Sequence, residues 1–126
     1  MSVELIAVAG MPEVRPGDDI ATLIAVATDV RSGDVLVVTQ KIVSKAENRL
    51  VAVDPDDPLA HKALVEEESV RVLRRRGDLV ISETKHGFVC ANAGIDRSNL
   101  DHRTAALLPH DSDRSARRLR DRLRPG

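Results

Sequence analysis

Aromatic residues and cysteine are almost absent from this 126-residue chain, which has one Phe, no Trp, no Tyr and one Cys. Without aromatic side chains there is no stacking platform for single-stranded nucleic acid. The core has to be built from aliphatic residues instead. The single cysteine, Cys90, cannot form an internal disulfide, and no Cys/His spacing resembles a zinc site. We therefore expect a cytoplasmic protein in a reducing compartment.

An excess of charge of one sign is also lacking. Nineteen Lys and Arg against 20 Asp and Glu give a formal net charge of -1, which removes the electrostatic argument for binding nucleic acid or an anionic membrane. No apolar run approaches the ~20 residues of a membrane span, and residues 1–10 lack the basic start and apolar run of a signal peptide. We predict no nucleic-acid partner, no membrane and a single domain over residues 1–126.

The hydrophobic pattern predicts an α+β fold. Short aliphatic runs predict strands at residues 3–8, 35–38, 50–53, 79–82 and 88–91. Helical spacing predicts helices that begin at Asp18 or Asp19, span residues 58–76, and begin at Ser112 or Asp113. Because strands and helices do not alternate regularly, we expect a mixed sheet with about three helices. The last helix carries a narrow apolar stripe that predicts a covering surface outside the chain.

The loop at residues 92–99 is the first candidate for chemistry. It combines small residues with a carboxylate, a hydroxyl and two amides. Asp96 could hold a divalent cation, because Mg²⁺ and Mn²⁺ prefer oxygen ligands, and Asn99 could hydrogen-bond a phosphate or a base. The alternative is a turn in which both side chains only satisfy their own backbone.

A second candidate follows the predicted strand at 35–38. Lys41 and Lys45 are four residues apart, so a helix there would place them on one side with Ser44 beside them. Such a cluster could hold a polyphosphate, and the alternative is a solvated basic edge. The segment Gly10-Met11-Pro12 could let a nucleotide approach the backbone or could be only a turn. No glycine loop of the Walker type is present.

Several segments, taken in order, carry a resemblance to a known family. They are residues 10–12, 16–19, 33–47, 86–99, 107–109 and 113–116. Together they resemble the coenzyme F-420-0:gamma-glutamyl ligase family, and the long block that ends at Asn99 is the most specific part. The resemblance implies the family's unusual α+β fold and a homodimer of interlocked subunits.

The activity that the resemblance implies is GTP-dependent addition of L-glutamate, by gamma-linkage, to coenzyme F-420-0 in coenzyme F-420 biosynthesis. The reaction would pass through an acyl phosphate and use Mg²⁺ or Mn²⁺, with K⁺ as a further candidate cation and GTP as co-substrate. By position, Asp96 would be a metal ligand. The GTP-binding set would be Gly10, Met11, Pro12, Gln40, Lys41, Ser44, Lys45 and Asn99. No catalytic residue is assigned.

Length is where the chain departs from the family pattern. Family members are about twice as long, and their second half carries an Ile/Val-x-Asp-Thr/Ser-x-Gly-Arg segment and further acidic residues that complete the metal sites. Residues 100–126 contain no replacement. We therefore expect the amino-terminal half of such a ligase, apparently truncated, which works as a homodimer or with a complementing second-half chain. The alternative is a non-catalytic nucleotide- or metal-binding fragment that needs a partner chain.

Overall fold

The computed structural model describes residues 1–97 and 101–124, and within them the fold is α+β as expected. The helices are α1 (Ile20–Ala27), α2 (Gln40–Ala46), α3 (Ala60–Glu67) and α4 (Ser112–Leu123). The strands are β1 (Leu50–Ala52), β2 (Ser69–Arg76), β3 (Leu79–Thr84), β4 (Val89–Ala91) and β5 (Thr104–Ala106), with a 3-10 turn at Asn92–Gly94. None of these helices is long and apolar enough to cross a membrane.

Among the described residues the strands form two small antiparallel sheets, whereas a mixed sheet was expected. In one sheet β1 pairs with β5, so that Leu50 lies opposite Ala106. The other has the order β2-β3-β4. Strands β3 and β4, which correspond to the runs predicted at 79–82 and 88–91, are joined as a hairpin. In the three-stranded sheet the strands follow each other through short turns, and such connections allow only antiparallel pairing. Strands β1 and β5 instead pair although they are distant in sequence.

Two predicted strands do not form among the described residues. Residues 3–8 and 35–38 belong to neither sheet. Val35 and Val37 are each 88% exposed, whereas the apolar run at 35–38 predicted a strand of a sheet. Composition can show that a segment favours an extended backbone, but a strand also needs a neighbour to pair with.

The helix predicted over residues 58–76 is half helix and half strand. Helix α3 ends at Glu67, and β2 begins at Ser69. The Ser69 hydroxyl donates to the carbonyl of Val65 and is 2.8 Å from the hydroxyl of Ser82 on β3. Residues 69–76 therefore pair with β3 although their apolar spacing favours a helix, because helix propensity is weak compared with tertiary contacts. Helix α2 (Gln40–Ala46) brings the number of helices in the described residues to four, where about three were expected.

Helix starts agree closely with the capping signals. Asp19 caps α1, where its carboxylate accepts a hydrogen bond from the backbone N–H of Thr22. Helix α4 is capped by Asp111, one residue earlier than predicted, which accepts from Arg114 N at 2.9 Å. An aspartate at this position satisfies a backbone N–H that has no partner inside the helix.

In the part of the chain that the structure describes, the core consists of three small aliphatic clusters. The first contains Val14, Ile20, Ile24 and Val43, and Leu119 and Leu123 of α4 pack against it. The second contains Val53, Leu64, Ala105 and Leu107, and the third Val65, Val80 and Ala93. Leu119 and Leu123 in the stripe of α4 are thus half-buried against this cluster, so part of the predicted covering surface lies within the chain.

Gly94 offers a test of how tightly the turn before Asp96 is packed. Its φ is +70°, and a Cβ there would lie 2.8 Å from Leu108 Cγ. Gly33 has a φ of +93° but has nothing within 4 Å of such a Cβ. We expect Gly94→Ala to lower the free energy of unfolding by about 1–3 kcal/mol more than Gly33→Ala, because only the first adds overpacking to backbone strain. Urea denaturation measures both variants, and equal losses would contradict the close packing against Leu108.

Candidate functional site

Lys41 and Asp96 meet although they lie far apart in sequence. Lys41 Nζ is 3.3 Å from Asp96 Oδ2, and both side chains are 23% exposed. The Asp96 backbone is held by an antiparallel bridge, in which its N–H donates to Ala106 O at 2.9 Å and its carbonyl accepts from Ala106 N at 2.8 Å. Hydrogen bonds to Ala106 therefore hold the backbone of Asp96, and its carboxylate meets the ammonium group of Lys41 on helix α2.

Helix α2 places Lys41 because two of its polar side chains attach it to the end of β5. The hydroxyl of Ser44, which is fully buried, donates to the carbonyl of Leu107 at 2.6 Å. Gln40 Nε2 donates to Ser44 Oγ and also to Leu107 O, the latter at 3.3 Å. A buried hydroxyl needs such partners to offset the loss of water. Gln40 and Ser44 thus fix the position of the helix that carries Lys41.

Lys45 ties the first part of the chain to α2. Its ammonium is 2.5 Å from Glu13 Oε1, and its side chain is only 10% exposed while that of Glu13 is 73% exposed. The hydrogen bond from Lys45, followed by the attraction of its charge, lowers the pKa of Glu13 below its ordinary value of 4.5. Met11 packs against the cluster that contains Val43 of α2. The segment 10–13 therefore lies against the same helix as Asp96.

Sequence reasoning missed a second cationic group beside α2. Arg49 Nε donates to Leu108 O at 2.8 Å, and its Nη2 is 3.2 Å from Glu68 Oε2. Lys85 approaches the other oxygen of Glu68 at 3.6 Å, and the carboxylate is 12% exposed. Glu68 follows α3 and Lys85 lies in the β3–β4 hairpin. No spacing rule links residues that come from three elements, so only the folded arrangement could reveal this cluster.

Comparison of the sequence with known proteins shows which family the chain belongs to. The sequence model of the F420-0:gamma-glutamyl ligase family matches residues 10–125. The chain belongs to this family. It is 43% identical to the coenzyme F420:L-glutamate ligase of Methanothermobacter thermautotrophicus over 94% of this chain and 55% of that protein. It is 42% identical to the coenzyme F420:L-glutamate ligase of Methanopyrus kandleri over 89% of this chain and 50% of that protein.

This member of the gamma-glutamyl ligase family spans about half the length of the curated relatives that it matches. The part matched by the family model, residues 10–125, includes all the predicted site residues. It thus includes both members of the Lys41–Asp96 pair and the attachment of α2 by Ser44.

The predicted site residues of this ligase-family chain fall into three groups. Lys41 and Asp96 are brought into contact. Gln40, Ser44 and Lys45 make contacts that hold α2, which their sequence positions did not predict. Gly10 and Pro12 are exposed and flank Met11, and Gly10 has a positive φ of 80°. Asn99 lies outside the described residues, so its predicted contact with GTP stays a prediction.

The donor set of this family member limits how a metal ion could be held. The described residues contain no group of three or more His, Cys, Asp or Glu side chains placed to hold a metal ion. Asp96 also faces the ammonium of Lys41, which repels a cation. One carboxylate fits a Mg²⁺ ion whose other ligands are phosphate oxygens and water, but it does not fit an ion held by protein groups alone.

The Lys45–Glu13 pair predicts a specific pH dependence. Because the pKa of Glu13 is lowered in the fold, its contribution to stability is present above the ordinary value and is lost as pH falls through the lowered value. We expect Glu13→Gln to be less stable than the parent at pH 7 and equally stable at the acid end of the transition. Thermal unfolding from pH 7 to pH 3 measures the difference.

Glu66→Gln is the matched control for this experiment, because Glu66 is paired with Arg75 while both side chains are more than 40% exposed. Surface pairs of this kind contribute little. A constant difference between Glu13→Gln and the parent across the pH range would show that the Lys45 pair does not shift the titration of Glu13.

Proposed function

We propose that this chain forms the GTP-binding part of a ligase that adds L-glutamate by gamma-linkage to coenzyme F420-0. The observation that carries the proposal is the contact between Lys41 and Asp96 at 3.3 Å. Both residues lie in the part of the chain that matches the gamma-glutamyl ligase family. The names of the relatives, coenzyme F420:L-glutamate ligases, supply the substrate class.

The chemistry explains why a cation should stand next to a carboxylate. Joining a carboxylic acid to an amine is uphill in water, so a carboxylate oxygen of the coenzyme first attacks the gamma-phosphorus of GTP and GDP leaves. The resulting acyl phosphate is then attacked by the amino group of glutamate, which expels phosphate, releases a proton and forms the amide. The first transfer requires neutralised phosphate charge and an attacking oxygen held in line.

Lys41 is the group proposed to contact the phosphates. Its side chain is 23% exposed, so an incoming anion can reach it without unfolding α2. An ammonium already held by Asp96 is partly oriented before the nucleotide binds, which reduces the entropy lost on binding. In the proposal, phosphate oxygens share Lys41 with Asp96, and charge-assisted hydrogen bonds of this kind are among the stronger polar contacts.

The other residues predicted to bind GTP have different roles in the proposal. The Lys45 side chain is buried and paired with Glu13, so we assign it to holding the segment Gly10-Met11-Pro12 near α2, where backbone groups of that segment can approach GTP. Gln40 and Ser44 position α2 through Leu107. Asn99 is proposed as a further contact to GTP.

Asp96 is proposed as one ligand of Mg²⁺ or Mn²⁺, and such an ion would neutralise phosphate charge during transfer. K⁺ remains a further candidate cation. Because the described residues contain no group of three or more His, Cys, Asp or Glu side chains placed to hold a metal ion, the proposal assigns the remaining protein ligands to a second copy or to a complementing second-half chain. A cytoplasmic location is proposed from the chemistry of a biosynthetic ligase.

A second function is favoured by one observation. The chain spans about half of its relatives, and so it could bind nucleotide without turning over until a partner chain completes the site. The two functions differ in activity rather than in GTP binding. Formation of amide by this chain alone, followed with GTP, Mg²⁺, glutamate and coenzyme F420-0, supports the enzyme, and binding without product supports the fragment.

Calorimetry with GTP tests the role of Lys41. We expect Lys41→Gln to weaken GTP binding about tenfold or more, since a charge-assisted hydrogen bond contributes about 1.5–3 kcal/mol. Lys62→Gln is the control, because it removes the same charge from an exposed position on α3. If both variants lost the same affinity for GTP, the loss would come from the change in net charge alone. That result would overturn the proposed contact between Lys41 and the phosphates.

The Asp96→Asn variant tests the metal site through the direction in which its affinity for GTP changes. Without divalent cations the variant should bind GTP more tightly than the parent, because a negative charge that repels phosphate is gone. With Mg²⁺ it should bind more weakly, because a metal ligand is lost. Titrations with and without Mg²⁺ measure both arms, and an effect of the same sign in both would remove Asp96 from the metal site.

A further inference from the structure

The segment 106–108 connects the two partners of the Lys41–Asp96 contact. At Asp96 the connection is a pair of backbone hydrogen bonds with Ala106, at 2.9 and 2.8 Å. At the helix that carries Lys41 it is the carbonyl of Leu107, which accepts a hydrogen bond from a buried hydroxyl of α2. A displacement of this segment would therefore change the distance between the Asp96 carboxylate and the Lys41 ammonium.

Arg49, which lies between α2 and β1, holds the same segment at two residues. Its carbonyl accepts a hydrogen bond from the backbone N–H of Leu107 at 2.8 Å, and its Nε donates to Leu108 O at 2.8 Å. Its own backbone N–H donates to the carbonyl of Ser44, also at 2.8 Å. Arg49 thus fixes the distance between the last turn of α2 and the segment 106–108.

Glu68 in turn holds the guanidinium of Arg49. Arg49 Nη2 is 3.2 Å from Glu68 Oε2, and the two side chains are only 14% and 12% exposed. Lys85 approaches Oε1 of the same carboxylate at 3.6 Å. A charge this far from water is strongly unfavourable when its partner is removed. The guanidinium therefore keeps its place under residues 106–108 only while the Glu68 carboxylate is present.

We propose that Glu68 is a positioning residue of the GTP site. Through Arg49 it holds the segment 106–108 at the distance from α2 that brings Asp96 to Lys41. The proposal rests on the proposed function, in which Lys41 contacts the phosphates, and Glu68 itself makes no contact with the nucleotide. Charged groups at a site lose much of their effect when they are misplaced by about 1 Å, so a small shift of this segment is enough to weaken binding.

Calorimetry of the 126-residue chain with GTP measures the effect of Glu68→Gln. We expect GTP to bind at least about tenfold more weakly, because a neutral amide does not hold the buried guanidinium in place. Glu66→Gln is the matched control, since it removes the same charge two residues earlier from a pair whose side chains are more than 40% exposed. The control should bind GTP within about twofold of the parent. Equal losses in the two variants overturn the proposal.

A double-mutant cycle separates positioning from a general loss of structure. If Glu68 acts through Lys41, its removal has little further effect once the Lys41 ammonium is gone. We expect the double variant Lys41→Gln, Glu68→Gln to bind GTP within about twofold of Lys41→Gln alone. A purely structural effect of Glu68 would instead multiply with the effect of Lys41. Fold losses that multiply overturn the proposal.

Arg49→Lys tests the same connection without removing a charge. The lysine keeps a cation beside Glu68, but it lacks the planar fork with which Arg49 contacts Leu108 O and the carboxylate together. We expect GTP affinity to fall at least about tenfold, as in Glu68→Gln. This variant also decides the question if Glu68→Gln fails to fold. A folded Arg49→Lys protein that binds GTP as the parent does overturns the proposal.

Hydrogen exchange tests the positioning step without GTP. The backbone amides of Asp96 and Ala106 should exchange at least about tenfold faster in Arg49→Lys and in Glu68→Gln, while the amides of α1 keep the parent rate, because only the bridge between these two residues is loosened. Unchanged exchange at the two amides overturns the proposal. Faster exchange in a protein whose parent does not bind GTP contradicts only the proposed function. GTP binding that both substitutions leave intact contradicts only the positioning role.

Discussion

The attachment of α2 to the end of β5 is the contact on which the rest of the site depends. Ser44, buried without any exposed surface, donates to the Leu107 carbonyl, and Gln40 donates to the same carbonyl. Leu107 follows the strand that bridges to Asp96. One set of buried hydrogen bonds therefore fixes both partners of the Lys41–Asp96 pair. Because an unsatisfied buried hydroxyl or carbonyl costs more than an average hydrogen bond contributes, this geometry has few alternatives.

Opposite charges around α2 are paired in a way that suits a site for an anion. Lys41 is paired with Asp96, Lys45 with Glu13, and Arg49 with Glu68. Taking a charge out of water is costly unless a partner of opposite charge accompanies it. Pairing thus allows cationic groups to remain partly buried in a chain whose net charge is only -1. An arriving phosphate then competes with a carboxylate for an ammonium that is already in place.

Local signals predicted local structure well. The cap of α1, the start of α4 to within one residue, the strands β3 and β4, and the α+β class all follow from residues close together in sequence. Predictions that depended on a distant partner were less successful. Residues 69–76 pair with β3 instead of continuing α3, and residues 35–38 have no strand beside them in the described structure. Aliphatic runs do not specify which element, or which chain, will cover them.

The sequence by itself determined the family, the aliphatic character of the core, and the segments from which site residues come. Motif spacing carries that information because it depends on residue order alone. Only the tertiary structure decided that Lys41 faces Asp96 while Lys45 turns to Glu13, although both lysines lie on one short helix. The physical reason is that a side chain's partner is set by what packs against each side of the helix, and those neighbours come from segments tens of residues away.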